Sequence, residues 1–468
     1  MFGLDNDMTA LLLICILCAC IFEFINGFHD TANAVATVIY TKSLRPVPSV
    51  VLSGIMNSVG VFAGGIAVAI GIINLLPPES LVSQSILQNV ALILSLLLSA
   101  IAWNLGTWYL GIPASSSHTL IGSILGVGIM YSLLSGNGDL SGVNWSKASG
   151  IGMSLLISPL LGFGLTLAVM LLLKRFVKDQ AIFKAPEGDT PPKPWIRGLL
   201  ILSCAGLSFT HGSNDGQKGV GLVMLILISL APLHFAVDAS RDIHQLEVPA
   251  RAALAQIISL DDEKMLPIDR AIADQVKAEL FDMTQLFDKY KASGVFPKEE
   301  NFAIRKDILF VGKHVKQLKV SGALKGLSND ELKKLESSVA EMRTYIEYAP
   351  AWVILIISLS LGIGTMIGWK RIVVTIGEKI GKENLTYAQG ASAGFVSAGT
   401  IWLASITGLP VSTTQVLSSG VAGSMVSSNG VKNLQGGTIR NIAIAWLLTL
   451  PVSMFLAGFF YFLFSLFF

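Results

Sequence analysis

Charge is the scarce material in this chain. Asp, Glu, Lys and Arg make up 14% of the 468 residues and apolar residues 52%, whereas soluble globular proteins carry about 25% charged residues. With a mean hydropathy of +0.65, this composition excludes an ordinary cytosolic enzyme. Cysteine is scarce as well: Cys15, Cys18, Cys20 and Cys204 all lie in apolar stretches. Cys15-x-x-Cys18-x-Cys20 has a spacing that metal or redox sites use. No histidine or second cysteine pair accompanies it, so the three read as small polarisable residues of a membrane helix. The net charge of +2 gives no reason to expect nucleic acid as a partner. The first apolar run also lacks a basic lead-in, since Asp5 and Asp7 precede it; a cleaved signal peptide is not expected there.

What charge there is clusters. The stretch 234–349 holds 17 Lys and Arg and 19 Asp and Glu, 36 of the 64 charged residues. The remainder is built of apolar runs, near 9–41, 48–76, 85–111, 113–134, 145–174, 196–233, 349–369, 386–406, 410–430 and 440–467. Several exceed the roughly 20 residues that cross a bilayer core about 30 Å thick, so a polytopic all-α membrane protein is expected. Lys and Arg follow the first run (Lys42, Arg45), fill 175–197 and 370–385, and precede the last run (Lys432, Arg440). The 77–84 and 135–144 turns carry only Glu79 and Asp139. The positive-inside rule then places both termini outside, 175–197 and 370–385 inside, and the polar stretch outside. Amphipathic patterns at 267–292, 299–319 and 327–347, with Ser328-Asn329-Asp330-Glu331 in the form of a helix cap, make the stretch a helical insert. No catalytic constellation is visible in it; a solvated helical surface or a docking and regulatory element both fit.

Two motifs occur twice. Gly27-Phe28-His29-Asp30-Thr31-Ala32-Asn33-Ala34 aligns with Gly212-Ser213-Asn214-Asp215-Gly216-Gln217-Lys218-Gly219 at an offset of 185. Pro113-Ala114-Ser115-Ser116-Ser117-His118-Thr119-Leu120 aligns with Pro410-Val411-Ser412-Thr413-Thr414-Gln415-Val416-Leu417 at an offset of 297. The offsets differ by 112, close to the length of the insert. With the insert removed, each half carries the two motifs about 83 residues apart. By the topology above the two copies start on opposite sides, which is the pattern of inverted repeats in secondary transporters. The expected organisation is a first membrane repeat over 1–175, a cytoplasmic linker over 176–195, the start of a second repeat over 196–233, the insert over 234–348, and the rest of the second repeat over 349–468.

The ionisable residues left inside apolar runs are Glu23, Asp30, Asp215, Lys218, His29, His118 and His211. Each costs at least about 2.5–3.5 kcal/mol to hold in hydrocarbon, and nearly all fall in the repeated motifs. Gly27 and Gly212, with Asn26 and Gly216 nearby, suggest helix breaks whose freed backbone groups line a polar cavity. The second motif supplies hydroxyls, Ser115, Ser116, Ser117 and Thr119 in one copy and Ser412, Thr413 and Thr414 in the other. Each copy follows a proline that can open a helix. Neutral donors at helix starts suit a tetrahedral oxyanion that must bind and then leave. A run of hydroxyls can also merely bond the preceding turn, and Glu23 and His211 can serve as bridges between helices. Gly212 to Lys218 lacks the ending and the strand context of a phosphate-binding P-loop.

At these residues the chain resembles the PiT family of inorganic phosphate transporters, whose motif is close to Gly-Ala-Asn-Asp-x-Ala-Asn-Ala in each half. The resemblance covers the membrane portion. It is nearest to the bacterial low-affinity, proton-coupled branch at Phe28-His29-Asp30-Thr31, Trp103-Asn104-Leu105-Gly106-Thr107-Trp108 and Gly212 to Lys218. It implies a homodimer in the bacterial inner membrane, inverted repeats with broken helices and two re-entrant hairpins, and no enzyme activity. Phosphate would be held by Ser115, Ser116, Ser117, Thr119, Ser412, Thr413 and Thr414. Coupling-ion sites would form at His29, Asp30, Asn33, Asn214, Asp215 and Lys218, with Glu23, His118, His211 and Gln415 as proton or gating groups. No permanent cofactor is implied; protons drive transport, and a divalent metal such as Mg travels with phosphate near Asp30 and Asp215. The departures matter. Sodium-coupled members carry Asn at the positions of His29 and Lys218, and an ammonium offers a sodium ion no oxygen. Gln415 stands where the branch often has His. Another oxyanion such as sulfate, sodium coupling, or a phosphate sensor are the remaining alternatives.

Overall fold

The computed structural model describes residues 2–76, 85–135, 140, 142–188, 190–260, 265–291 and 295–467, apart from the side chains of 31–33 and 429. Glu79, Asp139 and the side chain of Asn33 fall outside the described residues. The helices in chain order are α1 (Asn6–Tyr40), α2 (Pro46–Ala63), α3 (Ala67–Ile73), α4 (Ile86–Tyr109), α5 (Ser116–Leu134), α6 (Trp145–Phe176), α7 (Pro194–Leu230) and α8 (Pro232–Phe235). They continue with α9 (Glu247–Ile258), α10 (Pro267–Lys291), α11 (Asn301–Ser321), α12 (Asn329–Arg343), α13 (Ala351–Met366), α14 (Lys370–Glu378), α15 (Tyr387–Ile406), α16 (Thr413–Asn429) and α17 (Gly436–Ser465). Among the described residues the only β-type pairing is an isolated bridge between Gly381 and Leu434. The chain is all-α.

Six described helices, α1, α2, α4, α5, α6 and α17, are long and apolar enough to cross a membrane. The pair α13 and α14, bent by 63°, makes up to seven. The polar run 210–218 lowers the hydropathy of α7, which is why that helix, 37 residues long, is not among them. The residues divide into two compact units, Met1–Thr9 with Leu227–Tyr348, and Ala10–Ile226 with Ala349–Phe468.

In the smaller unit α9 to α12 pack around Ala253, Leu280, Phe287, Ile308, Val311 and Leu335. These residues recur at helical spacing, so each helix turns one apolar stripe inward. Ser328 starts α12 with a reciprocal cap: its hydroxyl accepts from the Glu331 N–H (3.3 Å) and Glu331 Oε2 accepts from the Ser328 N–H (2.8 Å). The fourth helix, α9, carries no pattern strong enough to have been anticipated.

In the larger unit α5 packs on α17 and α16 packs on α6, so each hydroxyl-rich helix lies against the last helix of the opposite half of the sequence. Helices α2 and α13 pack together as well. The expected breaks at Gly27 and Gly212 are not what these glycines do, because α1 and α7 run helical through both motifs. The reason is close approach. A Cβ on Gly27 would lie 2.4 Å from the Leu361 carbonyl of α13, and one on Gly212 would lie 2.1 Å from the Asn57 carbonyl of α2. Only glycine lets these backbones meet, and that contact brings the two Asp-bearing turns into the middle of the unit.

Candidate functional site

Asp30 on α1 and Asp215 on α7 are both fully buried, at 2% and 0% exposure. A carboxylate in such a place needs donors or a cation, and the two solve this differently. Asp30 accepts from two hydroxyls, Ser116 at Oδ2 (2.6 Å) and Thr414 at Oδ1 (2.5 Å), one from each copy of the second motif. His29 Nδ1 stands 3.2 Å from Oδ1. Asp215 instead takes the Lys218 ammonium at 2.7 Å, one helical turn away on the same face. Lys218 also donates to Ser117 Oγ (2.5 Å) and to the Val411 carbonyl (3.1 Å).

His211 stands between the carboxylates. Its Nδ1 lies 3.0 Å from Asn57 Oδ1, and Asn57 Nδ2 donates to Thr365 (2.8 Å). The Asn57 oxygen is therefore an acceptor, and His211 Nδ1 carries the proton. Nε2 then faces Asp215 Oδ2 at 3.5 Å and Asp30 Oδ2 at 3.9 Å. Among the described residues, neither His211 Nε2 nor Asp215 Oδ2 has a hydrogen-bond partner. One ligand atom from each of Asp30, His211 and Asp215 lies within 4.8 Å of the others. Two carboxylates and an imidazole lone pair facing one gap repel each other unless a cation sits there, either a proton on Nε2 or a metal ion.

His29 is constrained in the same way. Its Nε2 lies 3.2 Å from Thr107 Oγ1, and the Thr107 hydroxyl donates to the Trp103 carbonyl (3.0 Å). The hydroxyl oxygen is left to accept, so Nε2 is the donor. Contact between Nδ1 and Asp30 is then attractive only when a proton lies between them.

The hydroxyl motifs form helix starts, as their prolines suggest. Ser115 caps α5 by accepting from the His118 N–H, and Ser412 caps α16 by accepting from the Gln415 N–H, both at 3.2 Å. His118 Nδ1 lies 2.8 Å from Ser115 Oγ. Ser117 donates to the Val411 carbonyl at 2.8 Å, tying the start of α5 to the segment before α16. Thr119 donates to the Ser115 carbonyl one turn back (3.0 Å), an internal helix bond. Thr413 Oγ1 and Gln415 Oε1 are buried with no hydrogen-bond partner among the described residues. Asn214 accepts from the Val411 N–H (3.4 Å) and donates to Ser405 (3.2 Å) and the Leu409 carbonyl (3.3 Å), so its amide fastens the approach to α16. Glu23 lies one turn before the motif with Oε2 accepting from Asn26 (3.2 Å) and Oε1 without a partner among the described residues; its side chain rests against Gly219.

Of the residues proposed from sequence, Asp30, His29, His211, Asp215, Lys218, Ser116, Ser117 and Thr414 form one connected network. Ser115, Thr119, Ser412 and Asn214 shape the helix starts around it. Sequence reasoning missed Asn57, Thr107 and the Val411 carbonyl. Thr107 lies in the Trp103 to Trp108 stretch already singled out, but nothing local marks it as the partner of His29.

Comparison with known proteins identifies the family. A phosphate transporter family model matches residues 26–457. The chain is 40% identical to the low-affinity inorganic phosphate transporter PitA of Escherichia coli K12, over 98% of each chain. It is likewise 40% identical to a low-affinity inorganic phosphate transporter of Buchnera aphidicola subsp. Schizaphis graminum, over 99% of this chain and 98% of that one. It is 28% identical to a probable low-affinity inorganic phosphate transporter of Bacillus subtilis, over 98% and 99%. Among solved structures, a sodium-dependent phosphate transporter shares the fold with a TM-score of 0.55 at 20% identity, over 98% and 99% of the two chains. With the family model spanning nearly the whole sequence and both repeated motifs inside it, the chain is a multi-pass membrane protein that belongs to the phosphate transporter family.

Proposed function

We propose that this chain imports inorganic phosphate across a bacterial inner membrane by proton symport and alternating access, as a homodimer of inverted-repeat protomers. The observation that carries the reading is the network around Asp30. One hydroxyl from each hairpin, Ser116 and Thr414, converges on a single buried carboxylate that also faces His29. A group shared by both hairpins can report its protonation to both, which is what coupling requires. Phosphate, itself an acceptor, competes for the same two hydroxyls; neutralising Asp30 would release them. Lys218 supports proton over sodium coupling, because its ammonium fills the oxygen-lined space beside Asp215 that a sodium ion would need. The gap among Asp30, His211 and Asp215 suits a divalent metal travelling with phosphate as cargo, since a neutral metal–phosphate complex is cheaper to desolvate than the free dianion. The crossed packing of α5 on α17 and α16 on α6 supports the inverted repeat.

The experiment is labelled phosphate uptake into proteoliposomes with the proton gradient, sodium and magnesium varied independently. Uptake that follows the proton gradient without sodium is expected, with arsenate competing and sulfate not. Uptake that collapses when sodium is withdrawn overturns the coupling assignment. Excision of 240–345 separates a transporter from a sensor: retained uptake makes the insert accessory.

A further inference from the structure

At the edge of the buried network, α4 ends in two aromatic residues, Trp108 and Tyr109, followed by Leu110 and Gly111. Opposite them the chain leaves α13, turns at Gly368 (φ +75°) and enters α14 at Lys370, giving the 63° bend. Together these segments line a groove of about 640 Å³, with Trp369, Val374 and Lys379 completing it. Three hydrogen bonds fix its walls: Trp108 Nε1 to the Gly368 carbonyl (2.9 Å), Thr375 to the Gly111 carbonyl (2.9 Å) and Arg371 Nη1 to the Tyr109 carbonyl (2.8 Å).

Arg371 stacks on both aromatic rings, 5.2 Å from the centroid of Trp108 and 5.0 Å from that of Tyr109. Stacking holds the guanidinium plane in place, and one of its five N–H groups bonds to the protein. Lys370, Arg371 and Lys379 are exposed, and no acidic residue lines the groove. The neighbouring Glu378 accepts from the Tyr40 hydroxyl (2.7 Å). Beside the three cations the rim is apolar: Tyr109 is 66% and Leu110 69% exposed. Aromatic residues and cations at the end of a membrane-spanning helix occupy the headgroup level of a bilayer.

We infer that this groove binds an anionic phospholipid, with Arg371, Lys370 and Lys379 taking the headgroup phosphate and Tyr109 and Leu110 lying along an acyl chain. Free inorganic phosphate offers the same oxygens, but it gains nothing from the apolar rim, which favours the lipid. The groove also adjoins the buried network. Trp108 follows Thr107, the partner of His29, and its ring lies 5.0 Å from that of Phe28, the residue before His29. A lipid seated against Trp108 therefore braces the turn that carries His29 and Asp30.

The test uses the full chain purified in mild detergent, titrated with phosphatidylglycerol or phosphatidylcholine and read by native mass spectrometry. The wild type should retain phosphatidylglycerol at least about tenfold better than phosphatidylcholine. Lys370→Glu with Lys379→Glu, which leaves the Arg371 stack in place, should abolish that preference without changing the melting temperature, and Arg371→Lys, which loses the stacked guanidinium, should weaken it. Equal retention of the two lipids by the wild type overturns the proposal, as does full retention of phosphatidylglycerol by the double variant. Displacement of the lipid by millimolar inorganic phosphate would assign the groove to the free ion instead. Uptake in phosphatidylcholine vesicles should rise when phosphatidylglycerol is added, in the wild type and not in the double variant.

Discussion

Asp30 and Asp215 occupy corresponding places in the two copies of one motif, yet their carboxyl groups are held by opposite means. Asp30 relies on neutral donors and a histidine, all of which can let go. Asp215 is locked to an ammonium on its own helix that also ties Ser117 and the Val411 carbonyl together. A duplicated site has become one exchangeable half and one fixed half. Under the proposed symport, exchange belongs at Asp30, and the permanent counter-charge of Lys218 belongs where α5 and the segment before α16 are held together.

The largest expected effect tests that division directly. Asp30→Asn and Asp215→Asn should each abolish phosphate uptake in proteoliposomes while membrane insertion persists. They should differ in stability. Asp215→Asn strands the Lys218 charge, a loss of about 3–5 kcal/mol, and adding Lys218→Met should restore the melting temperature but not uptake. Asp30→Asn should melt close to the wild type. Equal destabilisation by the two single variants would break the comparison.

Lys218→Asn should be next in size: proton-driven uptake falls, and residual uptake becomes sodium-dependent as the space beside Asp215 gains an oxygen ligand. Sodium-independence of whatever uptake remains would count against the fixed-cation role. Among the hydroxyls, Thr414→Val removes a bond to a carboxylate, worth about 1.5–3 kcal/mol, and should lower uptake roughly tenfold or more. Thr119→Val removes a bond to its own helix and should cost under about 1 kcal/mol with little change in uptake. Comparable losses in both would mean that Thr119 reaches the substrate.

The smallest expected effect lies in the insert. Burial and the neighbouring Glu279 push the Asp307 carboxyl up to about 7 from its usual 3.8. Between those values the folded insert holds a proton that the unfolded chain releases, so its stability declines as pH rises through that window. Asp307→Asn should flatten this dependence, measured as the pH dependence of amide exchange over 267–321. An unchanged profile would remove Asp307 as its source.

Much of this was legible along the chain. Apolar run length and charge scarcity depend on local sequence, so the all-α membrane class, the helical insert and the Ser328 cap could be read from it. So could helix starts after Pro113 and Pro410, and the repetition of motifs around Asp30 and Asp215. The pairing of Lys218 with Asp215 was also within reach, because three residues along a helix share a face; the expectation of a break at Gly212 hid it. That expectation failed because a glycine that ends a helix and one that lets two helices touch look alike in sequence. Only the 2.1 Å approach of Asn57 to the missing Cβ of Gly212 distinguishes them.

The sequence by itself determined which residues would be costly to bury and that they recur in pairs, since desolvation cost and periodicity belong to residue type and spacing. The tertiary structure alone decided which groups compensate that cost. Thr414 reaches Asp30 across 384 positions, and Asn57 orients His211 across 154. Hydrogen bonds form or fail over a few tenths of an ångström, a distance set by how closely helices pack.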